Sequence, residues 1–148
     1  MELNHEVVID KPIQEVWDYT NDRSNLDLWL NDFLRHEQVT GDIDAPQVGD
    51  TSNVTYAQGK GEFTMLEEIV EWDEPTHLKL LMTCKMFDME IVNEFESVGP
   101  NQTRLFAGAV FTRLGLLMKI IFLFSSQKKQ QADHEKQIDK LKALIEAA

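Results

Sequence analysis

From Phe33 to Arg113 apolar and polar residues alternate with a period of two, and this constrains the fold more than any other feature of the chain. Six strands are predicted there: Phe33–Thr40, Thr51–Gln58, Glu62–Trp72, Leu78–Phe87, Met89–Val98 and Thr103–Thr112. Turn chemistry separates most of them, at Gly41-Asp42, Gly49-Asp50, Gly59-Lys60-Gly61, Asp73-Glu74-Pro75 and Gly99-Pro100-Asn101. Only the junction at Phe87-Asp88 is weakly marked. The later strands sort cleanly by face. Leu78, Leu80, Met82, Cys84 and Met86 share one side, as do Met89, Ile91, Asn93 and Phe95, and then Leu105, Ala107, Ala109 and Phe111. Glu90, Glu94 and Glu96 fall on the other side, the pattern of an antiparallel sheet with water on one face.

Ahead of this block, Glu2–Ile9 reads as a strand with Leu3, His5, Val7 and Ile9 in phase. Pro12 at a first helical position opens a short helix to about Thr20. Asn21 to Asn25 breaks it, and a second short piece covers Asn25–Leu30. A long helix closes the chain. A sheet of seven strands cannot bury its concave face alone, so that helix must cover it. The expected fold is α+β: a seven-stranded curved antiparallel sheet wrapped around a long C-terminal helix, in one domain over 1–148.

The last helix begins with an unusual run, Leu114 to Phe124, which contains one charge, Lys119. Its apolar side chains leave only a narrow gap around Gly115 and Lys119. A bilayer crossing needs roughly 20 apolar residues, so stable membrane insertion is excluded. Leu116, Ile120 and Leu123 are expected to continue into the stripe Ile138, Leu141, Ile145 and to sit on the sheet. The side bearing Leu117, Ile121 and Phe124 is left for a cavity, a ligand or a partner.

The net charge of −12 repels phosphate backbones and argues against nucleic-acid binding. Cys84 is the lone cysteine, so an internal disulfide and a cysteine metal cluster are both impossible. The N-terminus lacks a basic segment followed by an apolar one, and a cytoplasmic location is the expectation. No catalytic motif, metal-ligand spacing or phosphate-binding glycine loop is present, so no catalytic residue, metal or cofactor is assigned. His36-Glu37 reads as a solvated strand edge rather than a metal corner.

The segment Val7-Val8-Ile9-Asp10-Lys11-Pro12-Ile13-Gln14-Glu15-Val16-Trp17-Asp18 resembles the opening of the helix-grip superfamily. That group includes START-type lipid-transfer domains, birch-pollen-allergen-like proteins and the polyketide cyclase/dehydrase family. Val48-Gly49-Asp50, the turn Ile69 to Leu78 and the terminal helix agree with it. The resemblance implies an apolar cavity between sheet and helix for lipids, polyketides or aromatic molecules. It does not imply catalysis.

The candidate ligand-binding residues are Trp29, Tyr56, Met65, Glu67, Met82, Asn93, Phe111, Leu116 and Ile120. Glu67 is in phase with Phe63, Met65 and Ile69, yet it adjoins Glu68, and one of the two must face water. If Glu67 faces inward, its pKa is expected to rise, and it becomes a proton donor or a contact for a ligand hydroxyl. Asn93 is more firmly inward, between Ile91 and Phe95. His134 projects onto the apolar side of its helix, although its Gln neighbours favour solvent. Three functions remain open: a carrier or sensor of a hydrophobic small molecule, a cyclase/dehydrase-like enzyme using a cavity carboxylate or histidine, and an interaction module or homodimer built on the apolar helix start.

Overall fold

A computed structural model describes residues 1–124 and 126–148. Ser125 and the side chain of Phe124, the latter placed above on the open helix side, lie outside the described residues. The seven strands are β1 (Glu2–Ile9), β2 (Phe33–Thr40), β3 (Thr51–Gln58), β4 (Gly61–Asp73), β5 (His77–Thr83), β6 (Phe87–Gly99) and β7 (Gln102–Leu114). They form one antiparallel sheet in the order β1-β7-β6-β5-β4-β3-β2. Two short helices, α1 (Ile13–Asn21) and α2 (Leu26–Trp29), follow β1, with a 3₁₀ turn at Arg23–Asn25 between them. The chain ends in α3 (Leu116–Phe124) and α4 (Gln127–Ala147).

Most predicted boundaries match within two residues. The exception is the weakly marked junction: β5 stops at Thr83, and Cys84-Lys85-Met86 makes the turn into β6. Pro12 is the residue before α1 rather than its first. Its ring fixes φ at −59° with extended ψ, while its carbonyl accepts the Val16 N–H at 3.1 Å.

The alternation places the core as expected. Val7, Ile9, Leu78, Phe95, Leu105 and Ala107 are buried on the concave face beneath Ile138, Leu141 and Ile145 of α4. Each of the Val, Ile, Leu and Phe side chains contributes roughly 1.5–3 kcal/mol on full burial. Trp17 of α1 packs edge-on against Trp72 and Phe95, with centroids 5.0 and 5.1 Å away. α4 also protects the open edge of β1. Gln131 donates to the Asn4 carbonyl and accepts from the Asn4 N–H, and Glu146 accepts the Asp10 N–H. Unpaired edge groups invite pairing with another chain, and these side chains occupy them.

The end of the chain corrects one expectation. The apolar run and the polar stretch are separate helices, with Ser126 extended ahead of α4. The stripe of Leu116, Ile120 and Leu123 therefore does not continue into Ile138, Leu141 and Ile145. These three residues are 77%, 45% and 80% exposed. Met118 and Phe122 turn inward instead, Phe122 meeting the Phe111 ring edge-on at 5.4 Å. The start of α3 is pinned by Gly115, whose N–H donates to the Met86 carbonyl at 2.8 Å. A Cβ at that position would come within 3.1 Å of the same oxygen.

Candidate functional site

Between the concave sheet and α4 lies a cavity of about 320 Å³, within the usual size of small-molecule sites. The period of two supplies most of its wall. β3 gives Val54 and Tyr56, and β4 gives Phe63, Met65 and Glu67. Met82 comes from β5, Met89, Ile91 and Asn93 from β6, and Ala107 and Ala109 from β7. Arg23, Leu26 and Trp29 close one side, and His134, Ile138 and Leu141 of α4 the other. The wall is mainly apolar, with few groups able to orient a bound molecule.

Glu67 is inward and only 4% exposed, so its phase is resolved in favour of the cavity. Its environment differs from that of an isolated acid. Arg23 donates from Nη2 to Oε1 at 2.5 Å and from Nη1 to Oε2 at 3.2 Å, a bidentate pair. Glu67 is therefore an ion-paired hydrogen-bond acceptor. Arg23 was not singled out in the sequence. It sits in what reads there only as a helix-breaking stretch, and no spacing marks it as a partner of a residue 44 positions away. Its placement is local chemistry: Asp22 Oδ1 accepts the Ser24 N–H at 2.9 Å and the Ser24 hydroxyl at 2.6 Å, which shapes the turn holding Arg23.

The pair polarises its surroundings. Burial, and secondarily the Glu67 charge, raise the Tyr56 phenol well above its ordinary pKa, with Arg23 opposing. Tyr56 stays a neutral hydroxyl, stacked on Phe63 at 5.5 Å. His36 is half-buried, not the solvated edge residue expected. Burial lowers its pKa first, the Arg23 charge adds to this, and Glu67 and Glu37 oppose. His134 lies in the cavity wall, against the solvent preference of its neighbours, and its Nε2 is 3.0 Å from the Ala107 carbonyl. Burial lowers its pKa, partly offset by that hydrogen bond. The Trp29 Nε1–H and His36 Nε2 are buried without a hydrogen-bond partner among the described residues.

Of the nine candidates, Trp29, Tyr56, Met65, Glu67, Met82 and Asn93 lie together in the cavity wall. Phe111 stands behind it, in the cluster with Phe87 and Phe122. Leu116 and Ile120 are outside the wall, because α3 turns them to solvent.

Several solved structures share this architecture. A protein of Thermus thermophilus, TTHA0849, superposes with a TM-score of 0.75 at 20% identity, covering 99% of this chain and 98% of its own. Ara h 8.0201 gives a TM-score of 0.68 at 14% identity, covering 100% and 99%. A point mutant of Thalictrum flavum norcoclaurine synthase, in complex with a transition-state analogue, gives 0.68 at 15% identity, covering 98% and 93%. At these identities the likeness is one of fold. No curated protein matches the sequence. Residues 1–146, however, match the family model "Polyketide cyclase / dehydrase and lipid transport", and the chain belongs to that family.

Proposed function

We propose that this protein binds a hydrophobic small molecule in the cavity between the sheet and α4, acting as a carrier or sensor. The observation that carries this reading is the cavity itself: about 320 Å³, mainly apolar, with polar groups at a few wall positions. The family description and the shared fold support it. The test is a panel of aliphatic and aromatic ligands added to the protein, read by melting temperature and by tryptophan fluorescence in the wild type and in Trp29→Phe. A rise in melting temperature, with a fluorescence change that Trp29→Phe removes, is expected. A flat response across the panel would sink the proposal.

Acid–base catalysis is weighed on the same wall. The strands bring three polar side chains to it, Tyr56, Glu67 and Asn93. Glu67 is opposite Met82, which is opposite Met89, and Asn93 lies four residues beyond Met89. Two strand spacings across and four residues along separate the two backbones by about 16 Å. An Asn amide is neither a general acid nor a general base, Glu67 is held in its ion pair with Arg23, and burial raises the pKa of the Tyr56 phenol, so these three side chains do not form an acid–base pair. Binding is the better-supported function.

A second reading concerns α3. Leu116, Leu117, Ile120, Ile121 and Leu123 are exposed on one short helix, and patches of this kind mark interaction surfaces. Arg113 and Lys129 flank α3 in sequence but are ion-paired with Asp88 and Asp133, so the apolar side chains are what α3 offers a partner. A second copy presents the same apolar face, and two α3 helices packed together would cover it, so a homodimer is the assembly this reading predicts. Sedimentation giving only monomer at high concentration would remove this reading.

A further inference from the structure

Among the described residues the cavity wall carries one cation and one anion, Arg23 and Glu67, and they neutralise each other. Of the wall's other titratable groups, burial drives both His134 and Tyr56 toward their neutral forms. Arg23 gives one N–H from each terminal nitrogen to the two oxygens of Glu67, so its charge is already balanced. A ligand carboxylate meets no unbalanced cation among the described wall residues. Were it to take Arg23 for itself, it would strand Glu67, whose side chain is 5% exposed, as an unpaired buried charge. The wall's remaining polar groups include the Tyr56 hydroxyl and the Asn93 amide, which are uncharged hydrogen-bonding groups. These match a hydroxyl or carbonyl oxygen.

Resting on the binding function proposed above, we propose that the ligand is an electrically neutral hydrophobic molecule bearing a hydroxyl or carbonyl oxygen, and that the closed Arg23–Glu67 pair rejects its carboxylate analogues. Arg23 and Glu67 are in this view specificity-determining residues rather than catalytic ones. The family relationship, which spans lipid and polyketide chemistry, does not decide between charged and neutral ligands.

The test uses matched probes: decane, decanol and decanoate, with naphthalene, 2-naphthol and 2-naphthoate as an aromatic series. Affinities are measured by tryptophan fluorescence and calorimetry at pH 7. The alcohol and the naphthol should bind roughly a hundredfold more tightly than the carboxylates, which must either be buried unpaired or take up a proton on entry. The gap should narrow as the pH is lowered toward the carboxylate pKa. Glu67→Gln, which frees the Arg23 charge, should reverse the preference in favour of decanoate. Asn93→Leu should shrink the advantage of the alcohol over the hydrocarbon. Carboxylates binding as tightly as the alcohols in the wild type overturn the inference but leave the cavity function standing. Binding by neither series overturns the cavity function, and this inference falls with it. If Glu67→Gln does not fold, the wild-type series and its pH dependence decide.

Discussion

At the scale of single residues, the decisive pair is Arg23 with Glu67. Breaking a buried ion pair from one side leaves the other charge without compensation, whereas replacing both partners by apolar residues is often close to neutral. Arg23→Met is therefore expected to cost about 3 kcal/mol in urea unfolding, and Arg23→Met with Glu67→Met to lie within about 1 kcal/mol of wild type. A double variant as unstable as the single one would show that the pair stabilises the fold in its own right. The histidines make a second prediction. His134 and His36 are both held below the usual imidazole pKa of 6.5 by burial, so the folded chain resists a proton that the unfolded chain accepts. Their contribution is fully present above about pH 6.5 and declines as the pH falls toward the depressed folded values. Urea midpoints should drop between about pH 7.5 and 5.5, above the range where carboxylates titrate, and His134→Gln should reduce the drop. Glu67 illustrates what was legible in the sequence. Its phase with Met65 and Ile69 pointed inward, but its partner lies across the fold on a turn, and only packing brings the two together.

At the scale of elements, β1 to β7 were readable because one wet face and one dry face write a period of two into the chain. The Cys84–Met86 turn was harder, because it lacks the Gly, Pro or Asn that marked the others. α3 defeated the reading for a related reason. A helix that is apolar nearly all round carries little directional information, so periodicity cannot say which side is buried. The buried side is the one bearing Met118 and Phe122. Substitutions should follow that assignment: measured on the monomer at low protein concentration, Leu116→Gln and Leu123→Gln should change stability by less than about 0.5 kcal/mol, as exposed positions do. Phe122→Ala, which removes the ring packed on Phe111, should cost about 2 kcal/mol. Thermal or urea unfolding of the three variants makes the comparison. Equal losses at all three positions would mean that α3 is covered on both sides in solution.

For the whole molecule, the cavity makes the quantitative statement. A ligand that binds only the folded state stabilises it according to its excess over Kd, by about 2.7 kcal/mol at a hundredfold excess. For a domain of this size that corresponds to a rise of roughly 5–10 °C in Tm. The rise should increase with the logarithm of ligand concentration. A melting temperature that stays constant across a saturating titration would argue against a native-state site.

The sequence by itself determined the sheet, its dry face, the two short helices and the family, because these depend on local order: residue periodicity, turn chemistry and short motifs along the chain. It also put six of the nine candidate residues on the cavity wall. The tertiary structure alone decided the separation of α3 from α4, the outward turn of Leu116 and Ile120, the half-buried place of His36, and the pairing of Arg23 with Glu67. Each of these depends on which distant surfaces meet. The charge balance of the cavity, and with it the chemistry of the proposed ligand, is set by one such meeting between a turn and a strand 44 residues apart.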